Sequence, residues 1–391
     1  MQTIDLLIVG AGPAGLSTAL NLLQADASWA GRMLLLEKAS HPRPKLCGGG
    51  VTRFGLGILR ELGFPLPLPL PQAQVDDVRL QYGSHVIHAR ARPQFVVFHR
   101  PELDAYLASE ARRRGAVLCE NEAVTSFAAD EEGVTVVTPR DTYRAQVLVA
   151  ADGSKGIARQ ILGRGERRVR AAKSHVARLL ETLSPADESS PLYTERFAHF
   201  DFTPVQDDLQ GYCWDFPSWV GGAPRFNHGI YDANLDASRR HAHLPALLEE
   251  FLEGAPARTG GPQPRPSPAV MVQGHPLHWF SPRSRFSRPR LLLVGDAAGV
   301  DPLFGEGIAP ALGYGLVAAQ AVQHAFNTGE FSFEDYRRRV LDSPVGRYLM
   351  LRWAMAEGSY RLSGHEWFMR VAWLLGGTVA RLWPKREDLY P

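Results

Sequence analysis

The chain has 391 residues, more than the about 250 to 300 residues at which a single hydrophobic core stops growing, so it is expected to form two or three domains. Its 43 Lys and Arg residues and 41 Asp and Glu residues leave a formal charge of +2, which gives no support for electrostatic binding of nucleic acid. Three scattered cysteines and the lack of a run of 18 apolar residues predict a cytoplasmic protein with no disulfides and no membrane-spanning segment.

The first fifty residues have the pattern of a β-α-β unit. Residues 4–9 are apolar apart from Asp5, residues 13–23 have helical periodicity, and residues 33–36 form a second apolar run. Two buried strands joined by one helix predict a parallel pair. A helix is also predicted at residues 100–114, and further apolar strands are predicted at residues 116–119, 124–137, 146–150 and 291–294.

Two other regions alternate apolar and polar residues, which is typical of a sheet with one exposed face. They cover residues 75–92 and stretches between about 170 and 232, and they predict an antiparallel sheet. Proline alternates with leucine at residues 65–71, which predicts an extended connector because proline cannot continue a helix or a central strand. Residues 254–268 are rich in Gly and Pro and are predicted to form a surface loop.

The C-terminal region is predicted to be helical from residue 331 to the end. Residues 367–383 are apolar around most of a helix, with Arg370 and Arg381 as their only charged residues. One interpretation is a helix packed on the body of the protein. The other is a lipid-facing helix, because Trp and Arg side chains favour the membrane interface. That second interpretation predicts peripheral contact with the inner face of a membrane.

A glycine-rich turn after the first strand predicts a dinucleotide site. Residues 10–15 (GAGPAG) have the GxGxxG spacing, follow a strand and open a helix. The glycines let the backbone approach a pyrophosphate, and the helix N-terminus attracts that anion. Glu37 ends the second strand, where a carboxylate binds ribose hydroxyls and where NADP would instead require a cation. The motif predicts FAD or NAD, and the alternative is a tight structural turn.

A second glycine-rich turn near residue 296 decides between the two nucleotides. The apolar strand at residues 291–294 leads into Gly295, Asp296 and the segment AAGVDPLFGEGI. A carboxylate there can bind the ribityl hydroxyls of a flavin, and the amides of the following helix can bind its electron-rich ring edge. Asp152 and Gly153 follow the mid-chain strand in a similar way. Together these features favour FAD.

The three flavin motifs resemble those of the FAD-dependent oxidoreductases with the para-hydroxybenzoate hydroxylase fold. Arg100 matches the position at which that group places an Arg near the flavin, and the resemblance spans roughly residues 3–325. Two segments are similar to motifs of the geranylgeranyl reductase family: PKLCGGG at residues 44–50 resembles KxCGG, and YCWDFP at residues 212–217 resembles YxWxFP. Residues 299–308 also fit the family's GxxDPxxGEGI pattern.

The resemblance implies an α/β (α+β) fold with a Rossmann-like FAD-binding domain, an inserted antiparallel-sheet substrate domain and a C-terminal helical region. The implied segments are residues 1–64, 98–165 and 275–330 for FAD, residues 65–97 and 166–274 for substrate, and residues 331–391 for the helical region. The implied FAD-binding residues are Gly10, Gly12, Pro13, Ala14, Gly15, Glu37, Lys38, Cys47, Gly48, Gly49, Arg100, Val124, Asp152, Gly153, Gly295, Asp296, Pro302, Gly305, Gly307 and Ile308.

The aromatic motif is implied to line a pocket for an isoprenoid chain, with Tyr212, Trp214, Phe216 and Pro217 as substrate-binding residues. The catalytic candidates are Cys47, Tyr212 and Trp214. Tyr212 has a proton to donate, although a phenol with a pKa of about 10 is a weak acid at neutral pH. The alternative is that Trp214 and Phe216 simply form the buried face of a strand.

The three cysteines have different expected roles. Cys47 lies between Lys45 and a run of glycines, which permits a partly exposed thiol that contacts the flavin, gates the site or responds to redox state. A buried, inert Cys47 is the alternative. Cys119 is assigned to the core. Cys213 is expected to point away from Tyr212, because side chains alternate along a strand.

The leading hypothesis is a reductase that binds FAD and saturates carbon–carbon double bonds of a prenyl chain on a lipid, a quinone or a pigment precursor. Two alternatives are a flavin-dependent aromatic monooxygenase or halogenase, and an electron-transfer or lipid-binding flavoprotein. No second GxGxxG unit is evident, so the expected electron donor is NAD(P)H that binds transiently, ferredoxin or a reduced flavin pool. The expected partner is an isoprenoid or another apolar small molecule; no metal site is predicted, and the sequence is compatible with a monomer.

Overall fold

The computed structural model describes residues 2–159, 176–235, 242–262, 264 and 273–382. The strands are β1 (Gln2–Val9), β2 (Met33–Leu36), β3 (Gly50–Thr52), β4 (Gln72–Tyr82), β5 (His85–Phe98), β6 (Val117–Cys119), β7 (Ser126–Ala129), β8 (Val134–Val137), β9 (Thr142–Ala150), β10 (Val176–Pro185), β11 (Phe197–Asp201), β12 (Gly211–Val220), β13 (Ala223–Asp232), β14 (Gln273–His278), β15 (Ser287–Arg288) and β16 (Leu291–Leu293). The helices are α1 (Pro13–Ala25), α2 (Arg53–Glu61), α3 (Arg100–Arg113), α4 (Pro191–Thr194), α5 (Leu244–Glu253), α6 (Ala255–Thr259), α7 (Ile308–Thr328), α8 (Tyr336–Asp342), α9 (Pro344–Leu362) and α10 (Glu366–Leu382).

The first sheet is parallel through its centre, in the order β15-β16-β9-β1-β2-β6. Strand β1 pairs in parallel with β2 and with β9, and the β7–β8 hairpin joins through an antiparallel pairing of β8 with β9. Leu6, Leu7 and Ile8 of β1 are all fully buried, as expected for a strand covered on both faces. The predicted β-α-β unit is therefore confirmed.

The carboxyl ends of neighbouring strands lie at one edge of this sheet. Val9 of β1 is paired with Leu36 of β2 and with Ala150 of β9, and β16 runs parallel to β9 at the same level. Residues that follow these strands therefore come together, at the edge where open parallel sheets bind their ligands. They include Gly10, Glu37, Asp152 and Asp296.

The second sheet has the order β14-β10-β13-β12-β11-β4-β5-β3 and is antiparallel except for the pairing of β11 with β4. It confirms the antiparallel sheet predicted from alternation. Along β12, Tyr212 and Trp214 pack in one buried cluster, whereas Cys213 packs with Leu248 of α5 in another. Cys213 therefore points away from Tyr212, as predicted, and Cys119 packs partly buried against the core of the first sheet.

Two segments that were predicted to belong to the FAD-binding domain form strands of the second sheet. Strand β3 and residues 275–278 of β14 pair within the second sheet, although both fall in segments predicted to bind FAD. The β4–β5 hairpin and strands β10 to β13 lie in the second sheet, within the segments predicted for the substrate domain. The boundaries themselves stay a prediction.

Three local predictions differ from the structure. Residues 65–71 contain bends instead of one extended run, and Leu68 is buried against the core. Part of the predicted loop at residues 254–268 is helix α6, because Ala255 and Thr259 are buried there; residues 263 and 265–268 lie outside the described chain. Residues 124–137 form two strands, since Asp130 accepts hydrogen bonds from the amides that follow it and closes a turn.

Helices α8, α9 and α10 confirm the predicted C-terminal helical region, and α10 lies against β5. The predicted apolar segment ends at residue 383, which lies outside the described residues. Within the part of the chain that the structure describes, none of the helices combines the length and the hydropathy that crossing a bilayer requires.

Candidate active site

A cavity of about 1380 Å³ is lined by both sheets. Its wall includes the carboxyl edge of the first sheet and the face of the second sheet that carries Tyr212 and Trp214. Sites for one small ligand usually measure about 300 to 1,000 Å³. The cavity therefore has room for a cofactor together with a second ligand.

The turn between β1 and α1 can be built only with glycine. Gly10 has φ +99°, and a Cβ atom there would lie 2.3 Å from the carbonyl oxygen of Ala151. A Cβ atom on Gly15 would lie 2.0 Å from the carbonyl oxygen of Gly10. Gly12 is the N-cap of α1 and provides no side-chain cap, so the amides of the first turn face the cavity without one. An uncapped, partly positive helix end of this kind fits a pyrophosphate.

Glu37 is buried beside this turn. One carboxylate oxygen accepts a hydrogen bond of 2.9 Å from the amide of Ala11, and the other accepts one of 3.2 Å from the amide of Ala39. The Arg43 guanidinium lies 3.4 Å from Glu37. A carboxylate oxygen can accept more than one hydrogen bond, so Glu37, fixed in this way at the cavity wall, still suits ribose hydroxyls.

A second uncapped helix end faces the same cavity. Gly307 is the N-cap of α7 and provides no side-chain cap, and Gly305 and Ile308 also line the wall. Asp296 lies 3.8 Å from the ammonium group of Lys45, whose pKa is lowered by burial. The arrangement matches what a flavin requires: a carboxylate for the ribityl chain and helix amides for the ring edge.

Asp152 supports the same conclusion. One of its oxygens accepts a 2.9 Å hydrogen bond from the amide of Ala158, and the other is buried with no hydrogen-bond partner among the described residues. Burial raises the pKa of this carboxyl group. Because a buried polar atom without a partner usually marks a place for a ligand or water, the residues at this edge fit FAD.

The loop that carries Cys47 is held against β5. Gly49 has φ +78°, and a Cβ atom there would lie 2.0 Å from the carbonyl oxygen of Phe98. The half-buried Cys47 lines the cavity, and its sulfur accepts a 3.4 Å hydrogen bond from the Gly49 amide. The buried Arg100 makes a two-point pair with Asp104, at 2.9 Å for both contacts, and lines the same cavity as Cys47.

The second sheet supplies an aromatic wall, formed by Phe95, Phe200, Tyr212, Trp214, Phe216 and Phe304. Ring centroids lie 5.1 Å apart for Phe200 and Phe216 and 5.9 Å apart for Trp214 and Phe216. These spacings are typical of packed aromatic pairs. Trp214 and Phe216 are thus both the buried face of a strand and a wall of the cavity.

Behind this wall, the Trp214 indole donates a 2.8 Å hydrogen bond to the side-chain oxygen of Asn227. The amide group of Asn227 donates one of 2.8 Å to Glu181. Burial raises the pKa of Glu181 to about 7. A carboxyl group that changes charge near neutral pH therefore supports the wall.

Tyr212 does not present a free hydroxyl to the cavity. Its O–H donates a 2.6 Å hydrogen bond to the carbonyl oxygen of Phe304. Burial also raises the pKa of Tyr212 well above its usual value. The Tyr212 proton is therefore engaged by a backbone carbonyl, and the role of Tyr212 as a proton donor stays a prediction.

Most of the predicted site residues line the cavity, but Gly15, Pro302 and Pro217 do not. Gly15 packs directly against the β1–α1 turn. The carbonyl of Pro302 accepts a 2.9 Å hydrogen bond from the buried Tyr231 hydroxyl, and Pro217 is paired with β13. The residues that do line it are Gly10, Gly12, Pro13, Ala14, Glu37, Lys38, Cys47, Gly48, Gly49, Arg100, Val124, Asp152, Gly153, Tyr212, Trp214, Phe216, Gly295, Asp296, Gly305, Gly307 and Ile308.

Sequence reasoning missed a polar corner of the cavity formed by Glu306, Tyr348 and Arg352. The Tyr348 hydroxyl donates a short hydrogen bond to Glu306. Tyr348 and Arg352 belong to α9, in the region predicted to be a separate helical extension. Their spacing of four residues puts them on one helix face, which is the only sequence signal that links them.

Uncapped helix ends, the carboxylates between them and an aromatic cavity define a flavin-dependent oxidoreductase. Residues 3–330 match the family described as FAD binding domain. The chain belongs to this family of FAD-dependent oxidoreductases, within its geranylgeranyl reductase group.

Named relatives show the same relationship. The menaquinone reductase of Mycobacterium tuberculosis is 31% identical over 344 residues, which cover 82% of this chain and 76% of the relative. The digeranylgeranylglycerophospholipid reductase of Thermoplasma volcanium is 26% identical over 381 residues, which cover 93% and 89%. A solved geranylgeranyl bacteriochlorophyll reductase-like protein of Thermoplasma acidophilum has the same fold, with a TM-score of 0.73, 22% identity and coverage of 93% and 90%.

Proposed function

We propose that the protein is an FAD-dependent reductase that saturates carbon–carbon double bonds of an isoprenoid chain carried by a lipid, a quinone or a pigment precursor. The observation that carries this proposal is the aromatic wall of Tyr212, Trp214 and Phe216, which lines the same cavity as the flavin-binding turns. The printed names of the relatives, a menaquinone reductase and a digeranylgeranylglycerophospholipid reductase, support this class of substrate.

The proposed reaction is a two-electron reduction. When bound, reduced FAD would supply the hydride for a new C–H bond at one alkene carbon and would be oxidised. The other carbon would take a proton, and the double bond would become a single bond. NAD(P)H, as a hydride donor, or reduced ferredoxin, through two successive one-electron transfers, must then restore the reduced flavin.

The protein's own contribution is to orient an apolar chain and to exclude water. The rings of the wall supply flat, apolar contacts, and the Tyr212 hydroxyl is turned to a backbone carbonyl instead of toward the chain. Holding the alkene in one orientation converts a random encounter into a directed transfer. Excluding water protects the reduced cofactor from side reactions.

We propose that Cys47 donates the proton that the second alkene carbon takes. Cys47 lines the cavity. Because the Tyr212 hydroxyl donates its hydrogen bond to the carbonyl of Phe304, Cys47 is the predicted catalytic side chain whose proton is available for transfer. Loss of that proton leaves a thiolate, which the Gly49 amide and the Arg100 guanidinium would stabilise. Solvent returns the proton to the thiolate between turnovers.

We also propose that α9 and α10 contact the cytoplasmic face of a membrane. Trp367, Val371 and Leu374 recur at helical spacing along α10 and are 61%, 45% and 74% exposed, and Leu351 of α9 is 64% exposed. An exposed apolar stripe of this kind marks an interaction or membrane surface. This exposed face lies beside the substrate cavity, because Gly376 of α10 and Ile87 of β5 both line it. A bilayer is the occupant that would supply an apolar chain directly to the cavity.

The test is an anaerobic turnover assay. The FAD-loaded protein is reduced with dithionite and mixed with a prenylated quinone or with a geranylgeranyl lipid. The proposal expects oxidation of the flavin without oxygen and a product heavier by two hydrogens. Oxidation that requires oxygen and yields a hydroxylated or halogenated aromatic product would contradict it, as would reversible flavin reduction without a saturated product.

A further inference from the structure

The loop at residues 301–306, which leads into α7, is held by tyrosines from three elements. Three successive backbone carbonyls in it each accept a hydrogen bond from a buried tyrosine hydroxyl. The pairs are Tyr231 with Pro302, Tyr360 with Leu303, and Tyr212 with Phe304. Because the donors belong to β13, α9 and β12, the loop is fixed from two sides.

The Asp301 carboxylate organises the same loop from within. It accepts hydrogen bonds from the amides of Leu303, at 2.8 Å, and Phe304, at 3.3 Å. Asp301 is fully buried, and burial raises its pKa to about 6. Arg352 of α9 donates a 3.1 Å hydrogen bond to this carboxylate and opposes that rise. Arg352 therefore helps to keep a buried loop carboxyl in its charged form.

One face of α9 is built onto this loop. Tyr348, Arg352 and Tyr360 recur at multiples of four residues, and each contacts residues 301–306. Such a spacing makes one stripe along a helix. Leu351 and Met355 of the same helix are exposed. Helix α9 therefore reaches from the protein surface to the 301–306 loop.

We propose that α9 is a positioning element of the flavin site, in which Arg352 and Tyr360 hold the 301–306 loop so that the N-terminus of α7 meets the flavin ring. Gly307 and Ile308, at that N-terminus, follow the loop directly and line the cavity. A loop released at Asp301 or Leu303 would move these amides relative to the ring. This proposal concerns the binding of FAD alone, so it can fail or succeed independently of the proposed alkene reduction.

The test compares FAD binding by the FAD-free proteins and the flavin midpoint potential of the loaded ones. Arg352→Met removes the cation, Arg352→Lys keeps it, and Tyr360→Phe removes only a hydroxyl. Arg361→Met is the matched control, since Arg361 is an exposed residue of the same helix that pairs with Glu357. We expect Arg352→Met to raise the Kd for FAD on the order of tenfold and to shift the potential, with a rise of about fivefold for Tyr360→Phe.

The control is expected to bind FAD like the wild type, and Arg352→Lys is expected to recover much of the lost affinity. Wild-type affinity and potential in both Arg352→Met and Tyr360→Phe would overturn the proposal. Circular dichroism of the FAD-free proteins checks folding. If Arg352→Met does not fold, Tyr360→Phe decides the question, because it keeps the ring and its packing.

Discussion

The buried carboxyl group of Glu181 links the aromatic wall to pH. It accepts a 2.8 Å hydrogen bond from Asn227, which in turn holds the indole of Trp214. Its second oxygen is buried and has no hydrogen-bond partner among the residues that the structure describes. Burial raises the pKa of Glu181 from 4.5 to about 7, and the Asn227 hydrogen bond opposes the rise.

The raised pKa of Glu181 makes the stability of the folded protein depend on pH. Between pH 4.5 and about 7 the folded protein keeps the proton on Glu181 while the unfolded chain loses it, so the folded state loses stability as the pH rises through that window. Since one pKa unit corresponds to about 1.36 kcal/mol, the full penalty at pH 8 is on the order of 3 kcal/mol. Most of it, about 2.5 kcal/mol, develops between pH 5 and pH 8.

Glu181→Gln isolates this contribution, because glutamine keeps an acceptor oxygen for Asn227 and carries no charge. Urea unfolding of both proteins at pH 5 and pH 8, at one fixed FAD concentration, gives the difference in their free energies of unfolding. The variant is expected to gain about 2.5 kcal/mol relative to the wild type between the two pH values. Glu249→Gln, at an exposed position of α5, is the matched control. A difference that is constant from pH 5 to pH 8, or that the control reproduces, would show that burial of Glu181 does not have this effect.

Three further variants test the site and its surface. Asp296→Ala removes the carboxylate of the flavin turn and is expected to weaken FAD retention on the order of tenfold; unchanged flavin content after purification would remove that assignment. Cys47→Ala is expected to slow alkene-dependent flavin oxidation by about 100-fold in protein fully loaded with FAD, and an unaltered rate would exclude Cys47 as the proton donor. Leu351→Glu combined with Leu374→Glu is expected to abolish flotation with liposomes, whereas Val117→Glu, at an exposed apolar position in β6, is not. Equal flotation of these two variants would contradict membrane contact through α9 and α10.

The flavin end of the cavity could be predicted from sequence because its requirements are local. A turn in which a Cβ on Gly10 or Gly15 would collide with backbone needs glycine at fixed spacing, and that spacing is visible in one strand–turn–helix segment. The strand ends then meet at one edge because parallel pairing brings them there. The alternation along β12 likewise predicted which way Tyr212 and Cys213 point.

Contacts between distant segments could not be predicted in the same way. Side-chain alternation shows which face Tyr212 occupies but not that its hydroxyl meets Phe304, which is 92 residues further along the chain. Helical periodicity gives α9 an inner face but does not show that Arg352 reaches Asp301. Such pairings depend on how elements pack, and apolar packing itself is not directional.

Comparative mass spectrometry of lipids, quinones and pigments from cells with and without the protein addresses alkene reduction in its natural setting. We expect prenylated molecules that carry two or more additional hydrogens only when the protein is present, and a smaller amount of those species in cells carrying Asp296→Ala. Identical saturation of every prenyl chain in the two extracts, from cells in which the FAD-loaded protein is present and folded, would contradict a prenyl-chain reductase.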